Sequence, residues 1–338
     1  MKIIQVLPEL DIGGVERHVI DLSNELAERG HDVMVISNGG QMQGQLSGKV
    51  THRKLPVHKK NPITAMGCSV KISSWIRKEG WQLIHAHSRV PAWIALWTSK
   101  SVNIPFVVTA HVDFGNKNPL IYYPYRRADR VICVSTAVKE GMKNCFYDNA
   151  QVILNGLDDP NRYWSENSDE VVKLLFVGRL SPVKGLHDVL RALPQNLKWT
   201  LDVLGDGPQR KELESLAKEL QISDRVFFRG YSDMVDHYMA NSSCLLFPSY
   251  TEGMPLTLAR AVQIGIPVIA SDIPSVTEMA GSKEGLVPPG DIPQWHAAIK
   301  DFISTGKTKI MIPVSNIPTL KKMIDSDEAV YEELINSL

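Results

Sequence analysis

The sequence predicts an α/β protein made of two doubly wound, parallel-sheet domains. Short apolar runs alternate with helical spacings along the whole chain, the rhythm of parallel strands covered on both faces. A polar run, Asp158-Asp159-Pro160-Asn161-Arg162 with residues 165–170, divides that alternation into two halves. Glycine-bounded loops follow apolar strands in both halves, where open α/β sheets bind ligands.

In the first half, residues 2–7 read as a strand. Residues 15–29 read as a helix with Val15, Val19, Leu22 and Leu26 on one face, ended by Gly30. Strands follow at 32–36 and 50–55, then a helix through Ile72 and Ile76, a strand at 82–86 and a helix at 91–100. Strands at 106–109, 130–134 and 151–154 complete the first sheet. In the second half, strands are expected at 172–177, 200–204, 226–228, 244–247 and 268–270. Helices are expected at 186–192, 209–220, 235–240, 256–264 and 295–304. Crossovers between such strands are right-handed.

The 338 residues suffice for two domains that each bury a core. An apolar share of 43% and a charged share of 22% are those of a soluble globular protein. No apolar run approaches the roughly 20 residues of a membrane span. The chain enters a strand directly, without a cleavable signal pattern, so a cytoplasmic protein is expected. Cys68, Cys133, Cys145 and Cys244 are scattered and read as reduced thiols.

Charge is uneven. Of 37 Lys+Arg and 37 Asp+Glu, residues 1–165 hold 20 and 14, leaving the rest with 17 and 23. The clusters His52-Arg53-Lys54, His58-Lys59-Lys60 and Arg126-Arg127 lie near Trp75, Trp81, Trp93, Trp97, Tyr122, Tyr123 and Tyr125 in sequence. Together they suggest peripheral contact with anionic headgroups on the inner membrane face; a solvated face above core aromatics is the alternative. A pI of 7.1 and the lack of a recognition motif argue against nucleic acid.

Two segments carry chemistry. Ser249 to Asp272 reads as loop, helix, strand, placing Glu252 and the N–H groups near Met254 at a helix N-terminus. Such a terminus suits a diphosphate, whereas a carboxylate beside it suits sugar hydroxyls. Upstream, the strand ending at Val177 runs into Gly178-Arg179-Leu180-Ser181-Pro182-Val183-Lys184-Gly185. Arg179 offers a planar fork to phosphate oxygens and Lys184 a compact charge; two solvated loop cations are the alternative.

Taken with Gly13-Gly14, His111, Asn155-Gly156-Leu157-Asp158, Gly205-Asp206-Gly207-Pro208 and residues 285–291, these segments resemble the retaining GT-B glycosyltransferases of family 4. The resemblance covers most of the chain and rests on the order and spacing of individually weak motifs. It implies two Rossmann-like domains facing across a cleft. These are an acceptor-binding domain at 1–160 and a nucleotide-sugar-binding domain at 161–319, with the C-terminal helix at about 320–338 packing back on the first. The implied reaction moves a sugar from a nucleoside-diphosphate sugar to a glycan or lipid-linked acceptor, in cell-envelope polysaccharide synthesis, without a cofactor or metal.

The resemblance implies catalytic roles for His111, Arg179, Lys184 and Glu252. It implies donor contacts for Gly14, Arg179, Lys184, Asp206, Glu252, Gly253, Met254, Pro255, Leu256 and Arg260. His111 follows an apolar strand and is placed near the acceptor and sugar; His85 and His87 end another strand, with structural or acceptor-side roles equally open. Asp206 serves equally well as a helix cap. At Arg260 the chain departs from the family, whose second glutamate binds ribose; a cation cannot accept from ribose hydroxyls. Asp325-Ser326-Asp327 reads as a helix start or surface feature rather than a metal motif. A sugar-nucleotide epimerase and a non-catalytic GT-B binding protein are the competing readings.

Overall fold

The computed structural model describes residues 1–113, 118, 120–165 and 170–337. Residues 166–169 of the expected linker and Leu338 of the expected last helix lie outside the described residues. The chain divides into two compact units, Met1–Gly156 with Leu320–Leu338, and Leu157–Thr319. The boundary falls a few residues before the expected position at 160.

The first unit carries β1 (Lys2–Val6), β2 (Asp32–Ser37), β3 (Thr51–Lys54), β4 (Leu83–Ala86), β5 (Phe106–Ala110), β6 (Arg130–Cys133) and β7 (Ala150–Val152). They pair in parallel in the order β3-β2-β1-β4-β5-β6-β7. Between the strands run α1 (Gly14–Glu28), α2 (Pro62–Glu79), α3 (Arg89–Val102), α4 (Tyr123–Arg127) and α5 (Thr136–Met142). The order reverses between β1 and β4, and the carboxyl ends of the strands at such a switch point are where open α/β sheets bind ligands.

The second unit repeats the plan with β8 (Val172–Val177), β9 (Trp199–Leu204), β10 (Val226–Gly230), β11 (Cys244–Phe247) and β12 (Val268–Ala270). Their parallel order is β10-β9-β8-β11-β12, with the switch point between β8 and β11. The helices here are α6 (Leu186–Ala192), α7 (Arg210–Glu219), α8 (Val235–Ala240), α9 (Leu256–Ile264), α10 (Pro274–Ala280) and α11 (Ile292–Thr305). The final helix, α12 (Leu320–Asn336), belongs to the first unit.

Burial explains the two-faced pattern. On one side of the second sheet, Leu174, Phe176, Leu201 and Val203 pack with Trp199, Trp295 and Phe302. On the other, Leu175, Leu204 and Leu245 pack with Leu258, Val262 and Val276. In the first unit, Met323, Ile324, Val330 and Tyr331 of α12 join Ile3, Leu22 and Leu26 in one core. Ion pairs from Arg29 to Asp325 and Glu328, and from Arg130 to Glu333, fasten the same helix at its rim.

Three expectations are revised. Asp327 is fully buried inside α12, not a surface or helix-start residue. Tyr122 and Tyr125 are fully buried and Trp81 nearly so, which makes them core aromatics rather than a membrane-facing set. The helix α10 adds to the expected elements, with Pro274 opening it and Gly281 closing it. All four cysteines are buried, and none forms a disulfide among the described residues.

Candidate active site

At the switch point of the second sheet, backbone contacts bring the motif loops together. Gly205, at φ +130, lies so close to Gly178 that a Cβ would stand 1.9 Å from the Gly178 carbonyl oxygen. Gly185, at φ +66, presses on Pro248, whose carbonyl oxygen would lie 2.1 Å from an added Cβ. Any side chain at either place forces the loops apart.

This close approach positions Lys184 and Glu252. Lys184 ends the short turn Pro182–Lys184 after β8, and Glu252 lies in the loop after β11. The Lys184 ammonium donates to Glu252 Oε1 at 2.5 Å. Both side chains are largely buried, 25% and 14% exposed, so solvent screens the pair incompletely. Tyr250 braces the two loops: its N–H donates to the Val183 carbonyl at 2.8 Å, and its hydroxyl to Asp188 Oδ2 at 2.8 Å. Burial and the Asp188 carboxylate both raise the Tyr250 pKa. Gly290 stands where a side chain would meet the Tyr250 hydroxyl, and Asp291 caps α11 through the Gln294 N–H.

Arg179 is exposed, and its guanidinium forms no hydrogen bond or ion pair among the described residues. Gly253, Met254, Pro255 and Leu256 make the turn into α9, which has no side-chain cap among the described residues. Its first turn therefore presents backbone N–H groups and positive partial charge. Arg260 is engaged elsewhere. It donates to the Asp158 carbonyl at 2.8 Å and pairs with the carboxylates of Asp158 and Asp236. Asp206 accepts from the Gly207 N–H at 2.7 Å and pairs with Arg210 at 3.1 Å, which gives it a structural task at the start of α7.

In the first unit, Gly14 begins α1, and Gly13 precedes it without a side-chain cap among the described residues. His111 follows β5 and is buried. It belongs to a polar cluster inside the sheet. His87 Nδ1 lies 3.1 Å from His111 Nε2, and His87 Nε2 lies 2.7 Å from Gln5 Oε1. His85 lies 2.6 Å from the Tyr331 hydroxyl and 2.7 Å from the Thr109 hydroxyl. Burial lowers the pKa of His18 to about 4 and those of His85, His87 and His111 well below the usual range, so these rings are neutral. His18, His87 and His111 offer ring nitrogens within 4.8 Å of one another, the spacing of a metal triad. Both His87 nitrogens already have hydrogen-bond partners, however.

The structure thus joins Lys184 to Glu252 and leaves Arg179 open. It ties Arg260 and Asp206 into local ion pairs, and holds Gly14 and His111 in the first unit. Tyr250, Asp188, Gln5, Thr109, His18 and Tyr331 were not anticipated from sequence. The alternation His85–His87 and Thr109–His111 places four polar side chains on one sheet face, a signal readable from strand period alone.

Two family models match the chain: glycosyl transferases group 1 over residues 161–312, and glycosyltransferase family 4 over residues 12–160. An uncharacterized glycosyltransferase of Haemophilus influenzae is 28% identical over 291 residues, spanning 80% of this chain and 81% of its own. A glycosyltransferase structure from Rickettsia africae superposes with a TM-score of 0.82 at 20% identity, covering 99% of both chains. Anabaena HepE in complex with UDP and glucose superposes with a TM-score of 0.78 at 19% identity, covering 100% of this chain and 96% of its own. Both likenesses are of the GT-B fold.

Proposed function

We infer the reaction from one premise: the chain belongs to the group 1, family 4 glycosyltransferases, and is a transferase. The reading is a retaining transfer of a sugar from a nucleoside-diphosphate sugar to a glycan or lipid-linked acceptor in cell-envelope polysaccharide synthesis. The observation that carries it is the Lys184–Glu252 pair beside the uncapped N-terminus of α9. The UDP and glucose held by the Anabaena structure support a donor of this class.

Breaking the bond between the anomeric carbon and the diphosphate oxygen releases negative charge on the diphosphate. Groups that bind this charge more strongly as it grows lower the barrier. Lys184, Arg179 and the first turn of α9 supply that positive charge, so the step is assigned no metal. Glu252 accepts hydrogen bonds from donor-sugar hydroxyls and holds the Lys184 ammonium in place. The acceptor oxygen bonds to the anomeric carbon on the face the diphosphate leaves, and a diphosphate oxygen takes the acceptor proton. Gly14 and His111 serve the transfer from the first unit, with His111 hydrogen-bonding a sugar or acceptor hydroxyl.

Arg260 is paired with carboxylates, so we assign ribose recognition to other groups. Peripheral attachment to an anionic membrane is favoured by α2. Ile63, Met66 and Val70 are 84%, 47% and 64% exposed on one helical stripe, close in sequence to exposed Lys59 and Lys60.

Calorimetric titration with a panel of nucleoside diphosphates, followed by NMR of the product anomer, tests the reading. Binding, turnover and a conserved anomeric configuration are expected. Binding without transfer or hydrolysis supports the binding-protein alternative, a changed sugar in free nucleotide-sugar supports the epimerase, and failure of every diphosphate to bind overturns both enzyme readings.

A further inference from the structure

We propose that Gln5 and Tyr331 are positioning residues for His111, acting through a chain of hydrogen bonds that fixes which His111 nitrogen carries the proton. The proposal rests on the placement of His111 in the transfer reaction. The fold builds the chain from three strands and one helix. Gln5 on β1 and His85 on β4 are register partners, and Thr109 lies on β5 two residues before His111. Tyr331 reaches the group from α12. Gln5, His85, His87, Thr109, His111 and Tyr331 are all buried.

The donors and acceptors follow in one direction. The Gln5 oxygen faces His87 Nε2 at 2.7 Å, so this nitrogen bears the hydrogen and donates. In the neutral ring, His87 Nδ1 is then bare and accepts. The only hydrogen available at that 3.1 Å contact is on His111 Nε2. A neutral His111 protonated at Nε2 has a bare Nδ1, an acceptor for a ligand hydroxyl. On the other arm, Gln5 Nε2 donates to the Tyr331 oxygen at 3.3 Å. The Tyr331 hydroxyl donates to His85 Nδ1 at 2.6 Å, and His85 Nε2 donates to Thr109 at 2.7 Å. Each link uses one hydrogen and one lone pair. Turning the Gln5 amide over reverses the links as a set and moves the His111 hydrogen to Nδ1. Orientation of one amide is thus transmitted through His87 to the last ring.

Imidazole nitrogen spectra of the full-length protein labelled with ¹⁵N-histidine test this directly, with His111→Ala assigning the resonance. The expected result is a bare Nδ1 and a protonated Nε2 on His111. Gln5→Leu and Tyr331→Phe are expected to mix the two forms and to lower kcat by about tenfold or more, with donor KM little changed. Gln5→Glu, whose carboxylate still accepts from His87, is expected to restore the parent His111 pattern. A parent spectrum with Nε2 bare overturns the proposal, as do spectra unmoved by both variants. Mixed forms with undiminished transfer overturn the positioning role. Because the spectra need no turnover, a protein that transfers no sugar fails the functional reading without obscuring the hydrogen-bond result.

Discussion

Lys184 and Glu252, 68 positions apart in sequence, meet at 2.5 Å where the loops after β8 and β11 converge. The pair links a cation suited to a departing diphosphate with a carboxylate suited to a sugar. Lys184→Ala removes the charge that grows more useful as the bond breaks. Turnover is expected to fall by about 10²- to 10³-fold, the loss typical of one preorganised electrostatic group. A melting temperature within a few degrees of the parent, measured alongside kcat, separates lost chemistry from lost fold. Unchanged turnover removes Lys184 from the mechanism.

Tyr250 is expected to act through these two residues rather than on substrate. Its hydroxyl anchors the loop after β11 to Asp188 on α6, and its N–H anchors the same loop to Val183. Tyr250→Phe keeps the ring and the backbone bond but deletes the hydroxyl contact. A stability loss of about 1–3 kcal/mol is expected, since Asp188 is left buried with one fewer donor. Urea denaturation measures that loss, and steady-state kinetics should show turnover falling less than in Lys184→Ala. A larger fall would place the hydroxyl on the substrate.

Much of this arrangement is legible in the sequence because glycines and apolar runs report local backbone requirements. Strands β8, β11 and β12 and helices α6, α8 and α9 fall where their patterns place them. Lys184 and Glu252 are legible because each follows a strand's carboxyl end within a glycine-marked loop. Arg260 is different: its type is visible, but Asp158 and Asp236, which engage it, lie 102 and 24 positions away in a chain that folds back on itself. The burial of Asp327 within α12 is hidden for a physical reason. Met323, Ile324, Val330 and Tyr331 form an apolar stripe, and Asp327 interrupts it at a buried position. A carboxylate there makes the segment read as a polar tail. The Gln5–Tyr331 contact, 326 positions apart, leaves no local signature at all.

The α2 stripe yields a prediction independent of catalysis. Ile63, Met66 and Val70 recur at helical spacing on an exposed face. Ile63→Glu with Val70→Glu replaces two apolar contacts by charges that anionic headgroups repel. Sedimentation with vesicles containing anionic lipid is expected to recover the parent and to lose the double variant. High salt is expected to weaken binding of the parent in part, because only the lysine contribution is screened. Transfer to a water-soluble acceptor should be the same for both proteins. Equal recovery of both proteins with the vesicles would assign α2 no part in attachment.

Asp327 predicts a pH dependence of stability. Its carboxyl is fully buried, has no hydrogen-bond partner among the described residues, and is pushed by burial up to about 8. In the unfolded chain the same group titrates near 3.8. Between these values the folded protein keeps a proton that the unfolded chain has lost. Stability from this group therefore falls as pH rises from about 4 to about 8, and levels off above that. Asp327→Asn has no such proton to lose. Urea midpoints at pH 5, 6, 7 and 8 should show the variant gaining on the parent step by step across the series, toward a difference of several kcal/mol. A constant difference between the two proteins would mean that Asp327 titrates alike folded and unfolded, and that the polar atom is served by a partner such as bound water. The neighbouring Tyr331 gives a second readout, because the Asp327 charge is one cause that raises the tyrosine's pKa. Removing that charge with asparagine is expected to lower the Tyr331 titration, followed by ultraviolet absorbance in the alkaline range.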